Sequence, residues 1–274
     1  MSTNQDNITV IKPKSGWQLI EWNELKDYRD MFFFLVWRDI KARYAQSVLG
    51  VGWGVIQPVI SMIVFTIVFG NLAKIDSDGA PYAIFSFVAL VPWTFFANSL
   101  TASSTSLNSM ITKIYFPRLI LPIAAILGKA VDFSISFIIL CGLLVWFQVL
   151  PTIWIVLLPY LVLILILTSL GFGLWLSALS VQFRDIRYGL NFGVQLLMYA
   201  APVVYPATLI PEQYRLIYAI NPMVGVIEGF RSAILATNPM PWDMIVIGTI
   251  SSLVISLTGT FYFKRREKYF ADVM

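Results

Sequence analysis

Five stretches of the chain carry no charged residue: Tyr44 to Ala73, Gly79 to Thr112, Phe133 to Phe183, Tyr188 to Pro211 and Met244 to Phe263. A helix that crosses a bilayer core needs about 20 consecutive, mainly apolar residues, so each stretch has room for a span. The stretch from Phe133 to Phe183 has room for two, and Gln148 and Pro151 in FQVLPTIW supply a tight turn between them. The pattern predicts an all-α membrane protein with six transmembrane helices, at 49–73, 82–105, 120–149, 153–181, 188–206 and 243–263.

Two further segments are patterned without being long enough to cross. On a helical wheel Trp17, Ile20, Leu25, Tyr28, Met31 and Phe32 fall within an arc of about 140°, opposite Asn23, Lys26, Asp27 and Asp30. This predicts an N-terminal amphipathic helix lying in the membrane interface. Glu21 and Glu24 notch its apolar face, which leaves a soluble helix packed on a partner domain as the competing reading. MFFFLVW, residues 31 to 37, is followed at once by WRDIKARY and reads as a re-entrant or interfacial elbow. The connection from 206 to 242 holds two apolar stretches broken at Pro211, Pro222, Pro239 and Pro241. These are too short to cross and too apolar for free loops, which predicts a re-entrant helical hairpin on the outer side, buried in protein, between spans five and six. Glu228 and Arg231 can pair across one turn of it, and a small extracellular cap is the alternative.

Composition agrees with the pattern: 58% hydrophobic and 12% charged residues, with a mean hydropathy of +0.76, describe a chain whose main solvent is lipid. The net charge of +4 is modest and sits in the loops. Seven Lys and Arg precede the first span, four lie in the tail KRREKYFADVM, and Lys113, Arg118, Arg184 and Arg187 occupy the loops on the same side. The other side has Lys74, Arg215 and Arg231, so the positive-inside bias places both termini in the cytoplasm and argues against a nucleic-acid partner. The expected division is a cytoplasmic N-terminus with interface helix and elbow at 1–48, a transmembrane domain at 49–263 and a cytoplasmic tail at 264–274. The first residues, MSTNQDNITVIKPKSGW, lack the apolar core of a secretory signal. Cys141 is the single cysteine, which leaves no disulfide framework.

One cytoplasmic loop stands apart. NSMITKIYFPRLILP, residues 108 to 122, joins Lys113 and Arg118 to Tyr115 and Phe116 as an amphipathic patch, where topogenic charge alone would not require the aromatics. Lys129 and Asp132 follow one helical turn apart, a spacing that lets them pair. With lipid beginning near Phe133, the helix from residue 120 would project about 15 to 20 Å into the cytosol. A buried Asp also raises a proton relay or ion site, against which stands the neighbouring Lys that can neutralise it.

Catalytic parts are missing. The chain has no histidine, no Ser-His or Cys-His pair, no HExxH and no cluster of carboxylates. It has no GxxxxGK[ST] phosphate loop, and its spans are almost free of ionisable groups, which argues against ion-coupled transport. These features describe a conduit, not an enzyme, whose energy comes from elsewhere.

WRDIKARYAQSVLGVGWGVIQP at 37–58, KIYFPRLILP at 113–122, SVQFRDIRYGL at 180–190 and INPMVGVIEGFR at 220–231 closely resemble the permease subunits of polysaccharide-exporting ABC transporters, the type-2 exporters of O-antigen, capsular polysaccharide or teichoic acid. The resemblance implies six spans, an N-terminal interface helix, a homodimer in the bacterial inner membrane and two copies of a cytosolic ATP-binding subunit. ATP and Mg would be held by that partner, with no cofactor on this chain. It implies further that 110–118 is the coupling helix, with Lys113, Ile114, Tyr115, Phe116, Pro117 and Arg118 contacting the ATPase, Tyr115 and Phe116 as apolar knob and the two cations as rim. The substrate it implies is a lipid-linked polysaccharide, O-antigen-like, threaded through the dimer centre. A drug- or small-lipid-exporting permease is the competing family reading, and a stand-alone channel or secondary transporter the competitor from another class.

For the path of such a substrate, Trp53, Phe65, Phe69, Trp93, Phe95, Phe96, Tyr199 and Tyr205 offer stacking faces, although lipid-facing or interface roles suit them too. NSLTASSTSLNS at 98–109, beginning with Asn98, supplies hydroxyl and amide groups that fit either a wet sugar path or polar helix packing. Gly50, Gly52, Gly54, Gly171 and Gly173 permit close helix approach or a moving gate.

Overall fold

The structure, a computed structural model, describes residues 26–45, 50, 52–107, 116–183, 185–267 and 270. Among these residues every regular element is helical. Helix α1 runs Arg29–Tyr44, α2 Gly52–Phe65 with a π-helical continuation Thr66–Leu72, α3 Tyr82–Ser106, α4 Ile120–Leu127 and α5 Ala130–Trp146. A 3-10 turn Ile153–Leu157 leads into α6 Leu158–Gln182, followed by α7 Asp185–Tyr199, α8 Glu212–Tyr218, α9 Pro222–Leu235 and α10 Trp242–Glu267.

Among the described residues five segments are long and apolar enough to cross a membrane: Gly52–Leu72, Tyr82–Ser106, Ile120–Trp146, Ile153–Gln182 and Trp242–Glu267. The third is broken where the Lys129 N–H bonds Ile126 O, so that α4 and α5 meet at a turn. The expected turn at FQVLPTIW is present, with Gln148 in the left-handed region at φ +55°. Over 188–206 the structure differs from the expectation. Helix α7 has 15 residues, about 22 Å at about 1.5 Å per residue, short of a core of about 30 Å. Its continuation is barred by Pro202, whose ring would clash with the carbonyl four residues back and which has no N–H to donate. MFFFLVW forms the first half of the 16-residue α1, with Leu35 its one buried side chain.

Helix α3 is the hub. Its sequence carries no charge, and its first half, Tyr82 to Phe96, is apolar on nearly every side, as a helix enclosed by others must be. It packs on α2, α4, α5, α6, α7 and α9, and most of its residues are buried. The run at 98–109 resolves by face: Ser99, Ser103 and Ser104 are fully enclosed, and Ser180 Oγ donates to Ser104 O at 2.5 Å. A Cβ added at Gly173 would lie 2.8 Å from Ser103 Oγ. Ser103 and Ser104 therefore serve close packing of α3 on α6, while Asn98 stays half-buried. Helices α6 and α10 come closest at Gly171 and Gly259, since a Cβ at Gly171 would sit 2.7 Å from Ser256 N and one at Gly259 would run into Gly171 O. Small residues let backbones approach where lipid offers no hydrophobic drive for association.

Long helices α6 and α10 connect two ends of the molecule. At one, Met244 of α10 packs with Ala207, Ala219 and Val224, and the Thr152 N–H bonds Ala233 O. At the other, Leu174, Ala178 and Val181 of α6 and Phe263 of α10 join Leu35 of α1 in a second apolar core.

Candidate functional site

The loop singled out by its amphipathic pattern returns to the body of the protein at this second core. Lys113, Ile114 and Tyr115 lie outside the described residues, as do Trp17, Ile20 and Leu25 of the N-terminal arc; Tyr28, at the start of α1, packs on the core's edge. Phe116 is 7% exposed and packs among Leu35, Leu119, Phe263 and Phe270. It therefore does not stand out as a knob: the chain itself supplies its apolar surroundings. Pro117 is half-buried beside it.

Arg118, expected on the charged rim, is engaged within the chain. Its Nη1 donates to the main-chain O of Glu267 at 2.7 Å, its N–H donates to Glu267 Oε1 at 3.2 Å, and its guanidinium lies 5.9 Å from the centre of the Phe270 ring. Glu267 belongs to the last described turn of α10, 149 residues away along the chain. Lys264 Nζ approaches Glu267 Oε2 at 3.6 Å, and Phe263 and Phe270 meet edge to face with centroids 5.5 Å apart. The sequence held no sign of this, because Arg118 and Glu267 are 149 residues apart.

Helix α1 is fastened to α5 at its far end. Arg43 Nη1 and the Tyr44 hydroxyl both donate to the carboxylate of Asp132. This replaces the expected Lys129–Asp132 pair: a guanidinium and a phenol together satisfy the carboxylate better than a single ammonium. The hydrogen bond has a charged acceptor, and burial first and Asp132 second push the Tyr44 phenol up to about 12.

At the other end Glu228 and Arg231 do pair, at 2.8 Å, with side chains 7% and 3% exposed. Arg231 also donates to Val203 O at 2.9 Å and Tyr205 O at 3.1 Å, and its guanidinium stacks 3.7 Å from the centre of the Phe85 ring. Glu228 Oε1 accepts from Ala207 N at 3.2 Å. All of α9 is buried, and Asn221 caps it by accepting from the Met223 N–H at 3.1 Å. Asp78 accepts from Thr208 Oγ1 at 3.0 Å and Asn238 Nδ2 at 2.7 Å, tying the loop after α2 to both ends of the 206–242 connection.

The path candidates fall into separate groups. Trp93, Phe95 and Phe96 are core residues of α3, and Phe65 and Phe69 form an edge-to-face pair, 5.5 Å between centroids, half-buried against that core. Trp53 and Tyr199 are exposed, on α2 and α7. Tyr205 donates to Tyr199 O at 2.9 Å and shares a hydrogen bond with Tyr218, whose phenol is pushed up by burial and by that contact.

Several long apolar helices packed around α3 describe a multi-pass membrane protein, and the comparisons say of which family. The family model for ABC-2 type transporters matches residues 31–235, so the chain belongs to that family. It is 28% identical over 253 residues to the O-antigen export system permease protein RfbA of Myxococcus xanthus, covering 90% of this chain and 96% of that protein. An O-antigen export system permease protein RfbA of Klebsiella pneumoniae is 24% identical, over 89% of this chain and 95% of its own length. The polysialic acid transport protein KpsM of Escherichia coli is 24% identical, over 80% and 88%.

Proposed function

We propose that this chain is the membrane subunit of an ATP-driven exporter that moves a lipid-linked, O-antigen-like polysaccharide from the cytoplasm across the inner membrane. The observation that carries the reading is end-to-end similarity to O-antigen export permeases, covering 90% of this chain and 96% of the relative. A capsular polysaccharide is the second reading, favoured by the likeness to the polysialic acid transporter; its coverage of 80% of this chain places it behind. In this scheme the chain pairs as a homodimer, binds two copies of an ATP-binding subunit through 110–118, and has both termini in the cytoplasm. Helix α7 and the turns at 200–206 together make the sixth crossing, α8 and α9 form the outer re-entrant hairpin, and Trp17, Ile20, Leu25 and Tyr28 mark the interface helix. Support comes from the basic loops on one side and from α9, a short apolar helix buried in protein.

Deleting the gene in its host tests the reading. Surface polysaccharide is expected to disappear and lipid-linked glycan to accumulate inside, with both reversed by a plasmid copy. Unchanged surface polysaccharide would overturn it.

A further inference from the structure

The reading above gives the loop at 110–118 a partner but leaves open how its movement reaches the spans. The loop runs directly into Pro117 and Arg118, and the contacts there determine where a push on it would go. If Arg118 only followed α4, the push would pass along the chain to α5. Instead Arg118 is bonded twice to Glu267, by its guanidinium to the carbonyl and by its own N–H to the carboxylate. The Phe270 ring, 1% exposed, lies against that guanidinium and against Phe263. Phe116 sits in the same core, together with Leu35 of α1. Two hydrogen bonds, a ring contact and a closed apolar core thus join the base of the loop to Glu267 of α10, to Phe270 and to α1, all distant in sequence.

We propose that Glu267, in the last described turn of α10, and Phe270 latch the base of the 110–118 loop, so that displacement of the loop by an ATPase is passed to the last span and to α1. The inference rests on the reading of 110–118 as the ATPase contact. Glu267 and Phe270 are positioning residues: they touch neither glycan nor nucleotide and act by holding Arg118. A packed junction of this kind transmits force because a close-packed core does not deform continuously, and its members move together or separate. The carboxylate makes a specific demand, since Glu267→Gln keeps an oxygen that accepts from the Arg118 N–H, whereas Glu267→Ala removes it.

Two measurements test the latch. The first needs no transport activity: Pro117→Cys in a Cys141→Ala background reports whether the base of the loop is held. Adding Phe270→Ala is expected to speed alkylation by about threefold or more through local opening, and an unchanged rate would overturn the latch. The second uses the permease with its ATPase in vesicles loaded with lipid-linked glycan. Glu267→Ala and Phe270→Ala are each expected to co-purify with the ATPase and hydrolyse ATP within about twofold of wild type, while export per ATP falls by about tenfold; Glu267→Gln stays near wild type. Export per ATP equal to wild type in both Ala variants would overturn the proposal, as would an equal loss in Glu267→Gln and Glu267→Ala. A wild-type complex that exports no glycan would instead sink the functional reading, and the alkylation rates would still judge the latch.

Discussion

Replacing Arg231 with Met is expected to be among the most damaging single changes in the chain. The guanidinium is 3% exposed and holds the Glu228 carboxylate, two main-chain carbonyls and the face of Phe85. Methionine fills much of the volume but leaves Glu228 with the Ala207 N–H as its remaining donor. Breaking a buried pair by removing one partner costs about 3 to 5 kcal/mol, since the other charge stays behind unpaired. Adding Glu228→Gln removes that charge and keeps an oxygen for Ala207, so the double variant should recover about 2 kcal/mol of the loss. It should not recover it all, because Val203 O and Tyr205 O still lack their donor. Arg231→Lys should fall between wild type and Met, as an ammonium cannot reproduce the planar fork over Phe85. Unfolding of the detergent-purified protein by a denaturing detergent, followed by tryptophan fluorescence, ranks the four proteins. A Met variant within about 1 kcal/mol of wild type, or a double variant no better than the single, would refute the reasoning.

Phe116→Asp should lower the folded yield of the permease even without its ATPase, through loss of about 3 to 5 kcal/mol of packing in the core shared with Phe263 and Phe270; normal yield would contradict that burial. Gly259→Ala should cost about 1 to 3 kcal/mol in the same unfolding assay, because its Cβ meets Gly171 O, whereas Gly142→Ala, with open space around it, should be neutral or gain up to about 1 kcal/mol of helix propensity. Single cysteines at Ser77 or Thr208 in a Cys141→Ala background should react with an impermeant thiol reagent from outside, and ones at Ser109 or Ala271 should not. Outside labelling at Ser109 would reverse the proposed orientation.

Charge-free length alone located the long helices, since Gly52–Leu72, Tyr82–Ser106 and Trp242–Glu267 fall within a few residues of the runs that predicted them. Hydropathy predicted an unbroken helix over 188–206, whereas α7 ends at Tyr199, because Pro202 is apolar and counts towards a span while halting the helix. Local spacing found Glu228–Arg231, a pair one turn apart. It chose wrongly for Asp132, whose partners Arg43 and Tyr44 lie 89 and 88 residues away and are invisible to a rule about neighbours. The same blindness hid the fastening of Arg118 to Glu267. In the serine run, composition permitted both a sugar path and helix packing, and the backbone approach at Gly173 was needed to tell which hydroxyls face α6.

The central claim is that this chain is a conduit driven by another subunit, and reconstitution tests it most directly. Purified chain in vesicles with lipid-linked glycan is expected to hydrolyse no ATP and to move no glycan along an imposed proton gradient. Addition of the partner ATPase with ATP and Mg should start translocation, and a variant ATPase unable to hydrolyse ATP should not. Gradient-driven transport, or ATP hydrolysis by the chain alone, would contradict the account.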